Sequence, residues 1–202
     1  MISMIVLAAG KSVRMRGKNK LLTEIQGTPM IRRVVQASLE SKVDEVIVVL
    51  GAEANKVQKV LTDIPCRVVV NKNYEKGQSS SVKAGLSEVS PMTRAVLVLP
   101  GDVAMIDFRP INMVIEEYEG GKHSIVIAAH KGEAGHPILF DKQLFSEIKQ
   151  VDEQTFGLKA VVKKHEGEVY LLETSSPNVL KDVDTPEDLK ELSSNLSSSN
   201  AS

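Results

Sequence analysis

Short, nearly continuous runs of apolar residues, rich in β-branched side chains, recur along the chain. Runs of this kind are typical of strands that are buried on both faces, as in parallel sheets covered by helices. The pattern therefore predicts buried strands at Met4–Leu7, Val46–Leu50, Val68–Val70, Ala95–Leu99 and Ile125–Ala129.

The segments between these runs repeat apolar residues at helical spacing. A helix is predicted before the second strand, ending near Leu39, with Thr28 as its N-cap and Pro29 as its first residue. Further helices are predicted from about Ala54 to Leu61 and from about Ser79 to Val89. Strands that alternate with helices indicate βαβ units, and hence an α/β protein with a parallel sheet covered on both faces.

The second half of the chain is less regular. Strands are predicted at Gly135–Phe140 and Val169–Leu172, helices at Leu144–Ile148 and Leu158–Lys164, and a last helix that opens at Thr185 and runs through Leu192. The residues after Leu192 are almost entirely Ser and Asn, a composition typical of disorder. We therefore predict one domain over residues 1–192 and a disordered tail over residues 193–202.

A chain of 202 residues with 42% hydrophobic content can bury a core without disulfides. Its formal net charge is −1 at pH 7, which gives no reason to expect nucleic acid or a membrane surface as a partner. The only cysteine, Cys66, cannot form an intrachain disulfide, and the apolar run Met4–Ala9 is too short for a membrane span. We therefore expect a cytoplasmic protein.

The first predicted strand runs into a loop that combines small and basic residues. In Leu7-Ala8-Ala9-Gly10, the three small residues after Leu7 let a ligand approach the backbone at the carboxyl edge of the sheet. Four cations follow in the same loop: Lys11, Arg14, Lys18 and Lys20. They suit a triphosphate, although a solvated basic loop would have the same composition. The spacing is neither that of a P-loop nor that of the GxGxxG fingerprint.

Two acidic motifs follow. Gly101 and Asp102 come at the end of the predicted strand Ala95–Leu99, where a carboxylate is well placed to bind Mg²⁺ beside a triphosphate. Asp182 and Asp184 lie on the same side of an extended segment, so both could reach one cation. A turn-forming aspartate and a helix start are the alternative explanations.

A third segment, Asn71–Ser81, ends a predicted strand, turns at Gly77 and opens a helix with three consecutive serines. The unpaired N–H groups at that helix start could hold a phosphate, whereas capping alone would explain only one serine. His136 stands in a Gly-His-Pro turn, for which a structural role is the more ordinary explanation.

Together these stretches resemble the molybdenum cofactor cytidylyltransferase family, within the broader group of nucleotidyltransferases whose first strand ends in Leu-Ala-Ala/Gly-Gly-x-Ser-x-Arg-Met-Gly-x-x-Lys. The resemblance covers the chain from Met4 to about Leu192, and Asn71 with Gly77–Ser81, together with Gly135–Phe140, look like the cytidylyltransferase branch. It implies a Rossmann-like three-layer α/β/α nucleotidyltransferase fold with a mostly parallel central sheet.

The resemblance also implies a role for each candidate residue. The nucleotide would contact Leu7, Ala8, Ala9, Gly10, Lys11, Arg14, Lys20, Asn71, Ser80, Gly101 and Asp102. The catalytic set would be Lys20 and Arg14 on the phosphates, with Asp102. The acceptor would lie against Gly77, Gln78, Ser79, Ser81 and His136. Asp102 and Asp184 would hold Mg²⁺, with Mn²⁺ as the other candidate ion.

Two departures from the family pattern stand out. Arg16 looks inserted, so the pairing of Lys20 with the family lysine assumes a local bulge, and Lys18 is the fallback. The usual Gly-Asp-Gln-Pro is here Gly101-Asp102-Val103-Ala104, which keeps the carboxylate and loses a polar neighbour.

The implied reaction transfers CMP from CTP to the terminal phosphate of molybdenum-molybdopterin and releases pyrophosphate. A transient contact with a molybdoenzyme or its chaperone would follow. Leu7-Ala8-Ala9-Gly10 favours cytidine over the guanine branch, in which Leu-Ala-Gly-Gly is usual. The alternatives are a guanylyltransferase or sugar-phosphate nucleotidyltransferase on the same scaffold, and a non-catalytic protein that binds a nucleotide or cofactor.

Overall fold

The computed structural model describes residues 1–12, 19–185 and 187–189. The strands are β1 (Ile2–Ala8), β2 (Glu24–Ile25), β3 (Thr28–Pro29), β4 (Glu45–Leu50), β5 (Arg67–Val70), β6 (Ala95–Pro100), β7 (Ile125–His130), β8 (Glu133–Asp141) and β9 (Val169–Glu173). The α-helices are α1 (Met30–Leu39), α2 (Ala54–Lys59), α3 (Gln78–Leu86), α4 (Phe108–Glu119), α5 (Phe145–Ile148) and α6 (Leu158–Lys164). Short 3₁₀ helices lie at Lys20–Leu22, Tyr74–Lys76, Lys142–Leu144, Glu166–Glu168 and Pro177–Leu180.

A seven-stranded sheet in the order β5-β4-β1-β6-β8-β7-β9 forms the centre of the molecule. β1 is parallel to β4 and β6, β4 is parallel to β5, and β7 is parallel to β9. Only β8 runs antiparallel to its neighbours in this sheet of described strands. The predicted mostly parallel central sheet is therefore confirmed.

Helices cover both faces of this sheet. Successive residues of each strand point to opposite faces, so neighbouring residues pack against different helices. Met4 and Leu97 belong to one buried cluster with residues of α1, α2 and α4. Their neighbours Ile5 and Val98 belong to a second cluster with residues of α3, α5 and α6. The three-layer α/β/α architecture is thus confirmed as well.

The parallel strands at the centre end at one edge of the sheet. In the registers of β1, Ala8 pairs with Leu50 of β4, and Leu7 pairs with Pro100 of β6. The chain leaves β1 towards β4 and β5 on one side and returns to β6 on the other. Such a switch in strand order opens the crevice in which α/β sheets bind ligands.

The start of α1 differs from the prediction. Thr28 and Pro29 form β3, which pairs with Ile25 and Glu24 of β2, and Pro29 takes the N-cap position without a side-chain hydrogen bond. Thr28 as N-cap and Pro29 as the first helical residue are therefore wrong, because hairpin pairing keeps both residues extended. The predicted third helix likewise ends earlier, at Leu86.

The predicted last helix is described only in part. Residues 187–189 are helical, and the Asp188 carboxylate accepts a hydrogen bond from the Thr185 N–H at 2.7 Å. The rest of that helix and the predicted tail, residues 193–202, lie outside the described residues. In the described part of the chain, every helix is too short or too polar to cross a bilayer.

Candidate active site at the carboxyl edge of the sheet

A pocket of about 410 Å³ opens at this edge, between the ends of β1 and β6 and the start of α3. Its walls include these residues assigned from the sequence: Leu7, Ala8, Ala9, Gly10, Lys20, Gly77, Gln78, Ser81, Asp102 and Asp184. Ser12, Leu21, Tyr74 and Pro100 complete the lining. The sheet therefore gathers residues from both ends of the chain into one pocket, which we call the edge pocket.

Lys20 lies between two carboxylates in the edge pocket. Its Nζ donates to Asp102 Oδ2 at 2.5 Å and to Asp184 Oδ1 at 2.6 Å. The three side chains are only 14%, 17% and 21% exposed, so solvent screens these charges weakly. Burial opposes the charged form of Lys20, but the two carboxylates outweigh it and raise the pKa of Lys20 above its ordinary value.

A backbone contact brings Asp184 to this place. The N–H of Val183 donates to the carbonyl oxygen of Asp102 at 3.1 Å, which ties the C-terminal segment to the end of β6. Asp182 lies on the other side of Val183 and is absent from the pocket walls. Burial and the nearby Asp184 raise the pKa of Asp182. The structure thus brings Asp184, and not Asp182, into contact with Lys20.

The departure at Val103-Ala104 is explained by packing. Val103 and Ala104 are 0% and 1% exposed, and Ala104 packs in a small cluster with Ile25, Met30 and Val183. Val103 belongs to the large buried cluster on one face of the sheet, whereas Ala104 packs with the β2–β3 hairpin and the C-terminal segment; neither residue lines the edge pocket.

Asp102 and Asp184 also fit a divalent cation. Asp102 Oδ1 is a buried oxygen that has no hydrogen-bond partner among the described residues, so it keeps lone pairs available. The same residues contain no cluster of three or more His, Cys, Asp or Glu side chains suited to a metal. Mg²⁺ is commonly held by one or two carboxylates with substrate phosphates and water, which matches this sparse donor set.

The basic loop is described only at its ends. Lys11 is exposed, donates to Glu75 Oε1 at 2.6 Å and is absent from the pocket walls, so it lies at the rim. Ser12 lines the pocket and accepts a hydrogen bond from the Lys20 N–H at 3.2 Å, which links the two ends of the loop. Arg14 and the fallback Lys18 lie outside the described residues.

Three other residues assigned to the nucleotide site shape the backbone around the pocket. Asn71 is buried and donates to the hydroxyls of Ser80 and Ser81, so it orders the turn before α3. Ser80 itself donates to carbonyl oxygens within that turn. Gly101 donates to the Leu7 carbonyl, and a Cβ at this position would lie 3.1 Å from that oxygen, so glycine permits the close packing of β6 on β1.

A second, larger cavity of about 890 Å³ lies next to the edge pocket and shares Gln78 with it. We call it the side cavity. Its walls come mainly from α3, α6 and β6–β9, and they combine aliphatic side chains with Ser79, His136 and four charged residues, Glu153, Lys159, Lys163 and Glu166. Burial lowers the pKa of His136 despite the charge of Asp102, and His136 Nδ1 is buried without a partner among the described residues. The side cavity therefore offers a neutral imidazole in a wall that has both aliphatic and charged side chains.

Some residues that line the edge pocket and the side cavity could be predicted from the sequence, and others could not. Ser12 lies inside the loop motif, and Pro100 follows from the end of a predicted strand. Tyr74 lies in the segment Asn71–Ser81, but no sequence pattern marks it as a pocket residue. Glu153 lines the side cavity and contacts Ser79, which is 74 positions away in the chain. No sequence pattern predicts that contact.

Several proteins of known sequence or known structure are similar to this chain. Bifunctional protein GlmU of Prochlorococcus marinus (strain MIT 9211) is 29% identical over 126 residues, which cover 62% of this chain and 28% of GlmU. The chain thus spans only about a quarter to a third of the length of the curated relatives that it matches. A nucleotidyl transferase from Methanothermobacter thermautotroptrophicus has the same fold, with a TM-score of 0.85, 24% identity and coverage of 98% and 99% of the two chains.

A third relative is Rv0371c of Mycobacterium tuberculosis H37Rv, which is 27% identical with a TM-score of 0.82 over 96% of this chain and 97% of that one. Its structure is also known in complex with manganese, at 25% identity, a TM-score of 0.78 and coverage of 96% and 98%. The family model of the MobA-like NTP transferase domain matches residues 4–169. By this match, and with the pocket and sheet described above, the chain belongs to the MobA-like NTP transferase domain family.

Proposed function

We propose that the protein is a divalent-metal-dependent nucleotidyltransferase that transfers CMP from CTP to the terminal phosphate of molybdenum-molybdopterin. The observation that carries the proposal is the placement of Lys20 between Asp102 and Asp184 at the end of β1 and β6. A lysine and two carboxylates in one crevice can bind a triphosphate together with a hard cation. We propose Mg²⁺ as that ion, and the manganese complex of the mycobacterial relative supports a divalent cation in general.

In the proposed reaction, a terminal phosphate oxygen of the acceptor forms a bond to the α-phosphorus of CTP. The bond from the α-phosphorus to the bridging oxygen breaks, and pyrophosphate leaves with the electron pair. The acceptor phosphate is already ionised near pH 7, so no protein base is required. Lys20 and the pocket backbone orient the triphosphate and neutralise its charge, as expected for phosphoryl chemistry. A bound Mg²⁺ would add charge neutralisation on the phosphate oxygens.

Base selection is proposed to depend on the small residues at the end of β1. Ala8 and Ala9 line the edge pocket, and both are buried. Alanine at position 9 is bulkier than glycine and would leave less room for the base. This supports a pyrimidine nucleotide, in line with the resemblance of Leu7-Ala8-Ala9-Gly10 to the cytidine branch.

The acceptor is proposed to occupy the side cavity. Ser79 and His136 line that cavity, while Gly77 and Ser81 line the edge pocket and Gln78 lines both. An acceptor body in the side cavity would therefore have its phosphate directed past Gln78 towards the α-phosphorus. The aliphatic side chains of the wall, together with its polar groups and the neutral imidazole, suit a flat heterocycle with a hydrogen-bonding edge, such as a pterin. Contact with a molybdoenzyme or its chaperone would then serve product delivery.

The experiment that tests the proposal measures pyrophosphate release from CTP, GTP, UTP and ATP with Mg²⁺ or Mn²⁺. Acceptors are molybdenum-molybdopterin and a set of sugar phosphates. The proposal predicts release with CTP and molybdenum-molybdopterin. Release only with GTP or a sugar phosphate would reassign the substrates, and no release with any pair would favour a non-catalytic binding protein.

A further inference from the structure

Residues 152–157 form a surface turn that closes part of the side cavity. Glu153, Phe156 and Gly157 line the cavity, although residues 152–156 are all exposed and Phe156 is 79% exposed. The turn is held together internally: the Gly157 N–H donates to the Asp152 carbonyl at 2.8 Å, and the Thr155 N–H donates to the Asp152 carboxylate at 2.7 Å. A segment with few buried contacts opens at low free-energy cost.

One side chain fastens this turn to α3. Glu153 Oε1 accepts hydrogen bonds from the N–H of Ser79 at 2.6 Å and from its hydroxyl at 2.8 Å. Gly77 permits the contact: its φ is +94°, and a Cβ there would lie 2.2 Å from Glu153 Cγ. The carboxylate thus rests at the start of α3, beside Gln78, where the edge pocket and the side cavity meet.

We propose that residues 152–157 are a lid on the side cavity, that Glu153 is the latch which holds it shut, and that an anionic acceptor opens it by taking the place of the Glu153 carboxylate on Ser79. The inference rests on the proposed function for the identity of the acceptor. A carboxylate bound to the first N–H groups of a helix and a phosphate group compete for the same donors. Acceptors with a phosphate near the cavity mouth would open the lid, whereas neutral analogues of the same shape would leave it closed.

The lid can be followed without any nucleotide or acceptor, so its test is independent of the transferase activity. The chain contains no tryptophan, so Phe156→Trp places a single tryptophan on the lid, which can be excited selectively over the three tyrosines. Inorganic phosphate is titrated into this protein, with sodium chloride at equal ionic strength as the blank. We expect a saturable change in tryptophan emission with phosphate and none with chloride.

Latch variants are then made in the reporter protein. Glu153→Gln should show, without phosphate, the emission that the parent reaches at saturation, and phosphate should change it no further. Glu166→Gln is the matched control, because Glu166 lines the same cavity without a described hydrogen bond to α3, and it should behave as the parent.

The alternative is that Glu153 only caps α3. In that case Glu153→Gln lowers the Tm, keeps the closed-lid emission and leaves the phosphate titration unchanged. That result, or the absence of a saturable phosphate response in the parent, overturns the lid. Pyrophosphate assays that fail while the lid responds as expected would overturn only the proposed function.

Discussion

At the residue scale, Lys20 is the cation that the fold brings to both carboxylates, although the loop before it is one residue longer than the family pattern. The loop motif and the apolar pair after Lys20 made this assignment accessible from the sequence. The catalytic role of Lys20 stays a prediction, because its hydrogen bonds to Asp102 and Asp184 are not evidence of turnover. Lys18, the fallback, lies outside the described residues.

Replacing Lys20 with Met should lower kcat/KM for CTP by about 10- to 100-fold, the usual range for a charged hydrogen bond to a triphosphate. The measurement is steady-state kinetics with CTP varied at saturating acceptor. Lys11→Met is the matched control: Lys11 is exposed and paired with Glu75 at the rim, so its loss should change kcat/KM by less than about threefold. A loss at Lys18→Met as large as that at Lys20→Met would show that the register through the loop is wrong.

Replacing Asp102 with Asn should weaken Mn²⁺ binding by at least about tenfold, because one of two anionic ligands is lost. Mn²⁺ binding is measured by electron paramagnetic resonance in the presence of CTP, so the readout does not require turnover. Asp184→Asn should have a similar effect. Asp182→Asn is the control, since Asp182 does not line the pocket; a loss confined to Asp182→Asn would reverse the assignment of the two acids.

The residue pattern could not reveal everything in the site. Asp102 and Gly10 belong to short motifs that directly follow predicted strands, so both could be predicted from the sequence as site residues. Glu153 reaches Ser79 only through the packing of a turn against α3, and no local periodicity reports such a contact. His136 was noted as part of a Gly-His-Pro turn, but it lies within strand β8, and its unpartnered Nδ1 depends on the surrounding walls.

At the element scale, the buried strands were the most predictable feature, because a strand covered on both faces needs a continuous apolar run. α4 has no counterpart among the predicted elements, although Ile111, Val114 and Ile115 have helical spacing and Asp107 caps the first turn. The start of α1 was misjudged for a different reason. Capping residues and hairpin residues overlap in type, and only the pairing with β2 decides between them at Thr28.

The packing of α3 against the sheet predicts a sharp cost for Gly85→Ala. An added Cβ would lie 2.5 Å from Ile5 Cγ2 and 3.0 Å from Val49 Cγ2, so the helix or the strands must shift. Overpacking of this kind costs about 1–3 kcal/mol of the free energy of unfolding. Urea denaturation measures it, with Gly167→Ala as the control because a Cβ there meets nothing within 4 Å. Equal stability of the two variants would contradict the described packing.

A second element-scale prediction concerns pH. His165, at the end of α6, contacts Glu147 of α5 at 3.0 Å and Glu168 at 3.1 Å, and these two carboxylates raise its pKa. Because the folded pKa lies above the unfolded value of about 6.5, the stabilisation is complete below that pH and is lost as pH rises through the folded pKa.

His165→Gln should therefore lower the free energy of unfolding at pH 5.5 by about 0.2–1 kcal/mol, a range set by the accessibility of the pair to solvent. At pH 9 the variant should match the parent. Urea denaturation at both pH values checks this. A cost that is larger at pH 9 than at pH 5.5 would have the wrong sign for this ion pair.

At the scale of the whole molecule, the sequence indicated a mostly parallel three-layer fold and placed the site at its carboxyl edge. It did not indicate that β8 inserts antiparallel between β6 and β7, because long-range strand order leaves no periodic signature. That insertion helps to build the side cavity next to the edge pocket. The juxtaposition of the two spaces, one for each proposed substrate, was therefore beyond prediction from pattern alone.

The central claim is that the two spaces serve transfer of a nucleotidyl group. The most direct test incubates the protein with Mg²⁺, molybdenum-molybdopterin and CTP labelled with ³²P at either the α- or the γ-position. The account predicts that α-label appears in the acceptor and γ-label in pyrophosphate in equal amounts, and that Asp102→Asn loses both. Release of γ-label as inorganic phosphate, or retention of all label in CTP under these conditions, would contradict it.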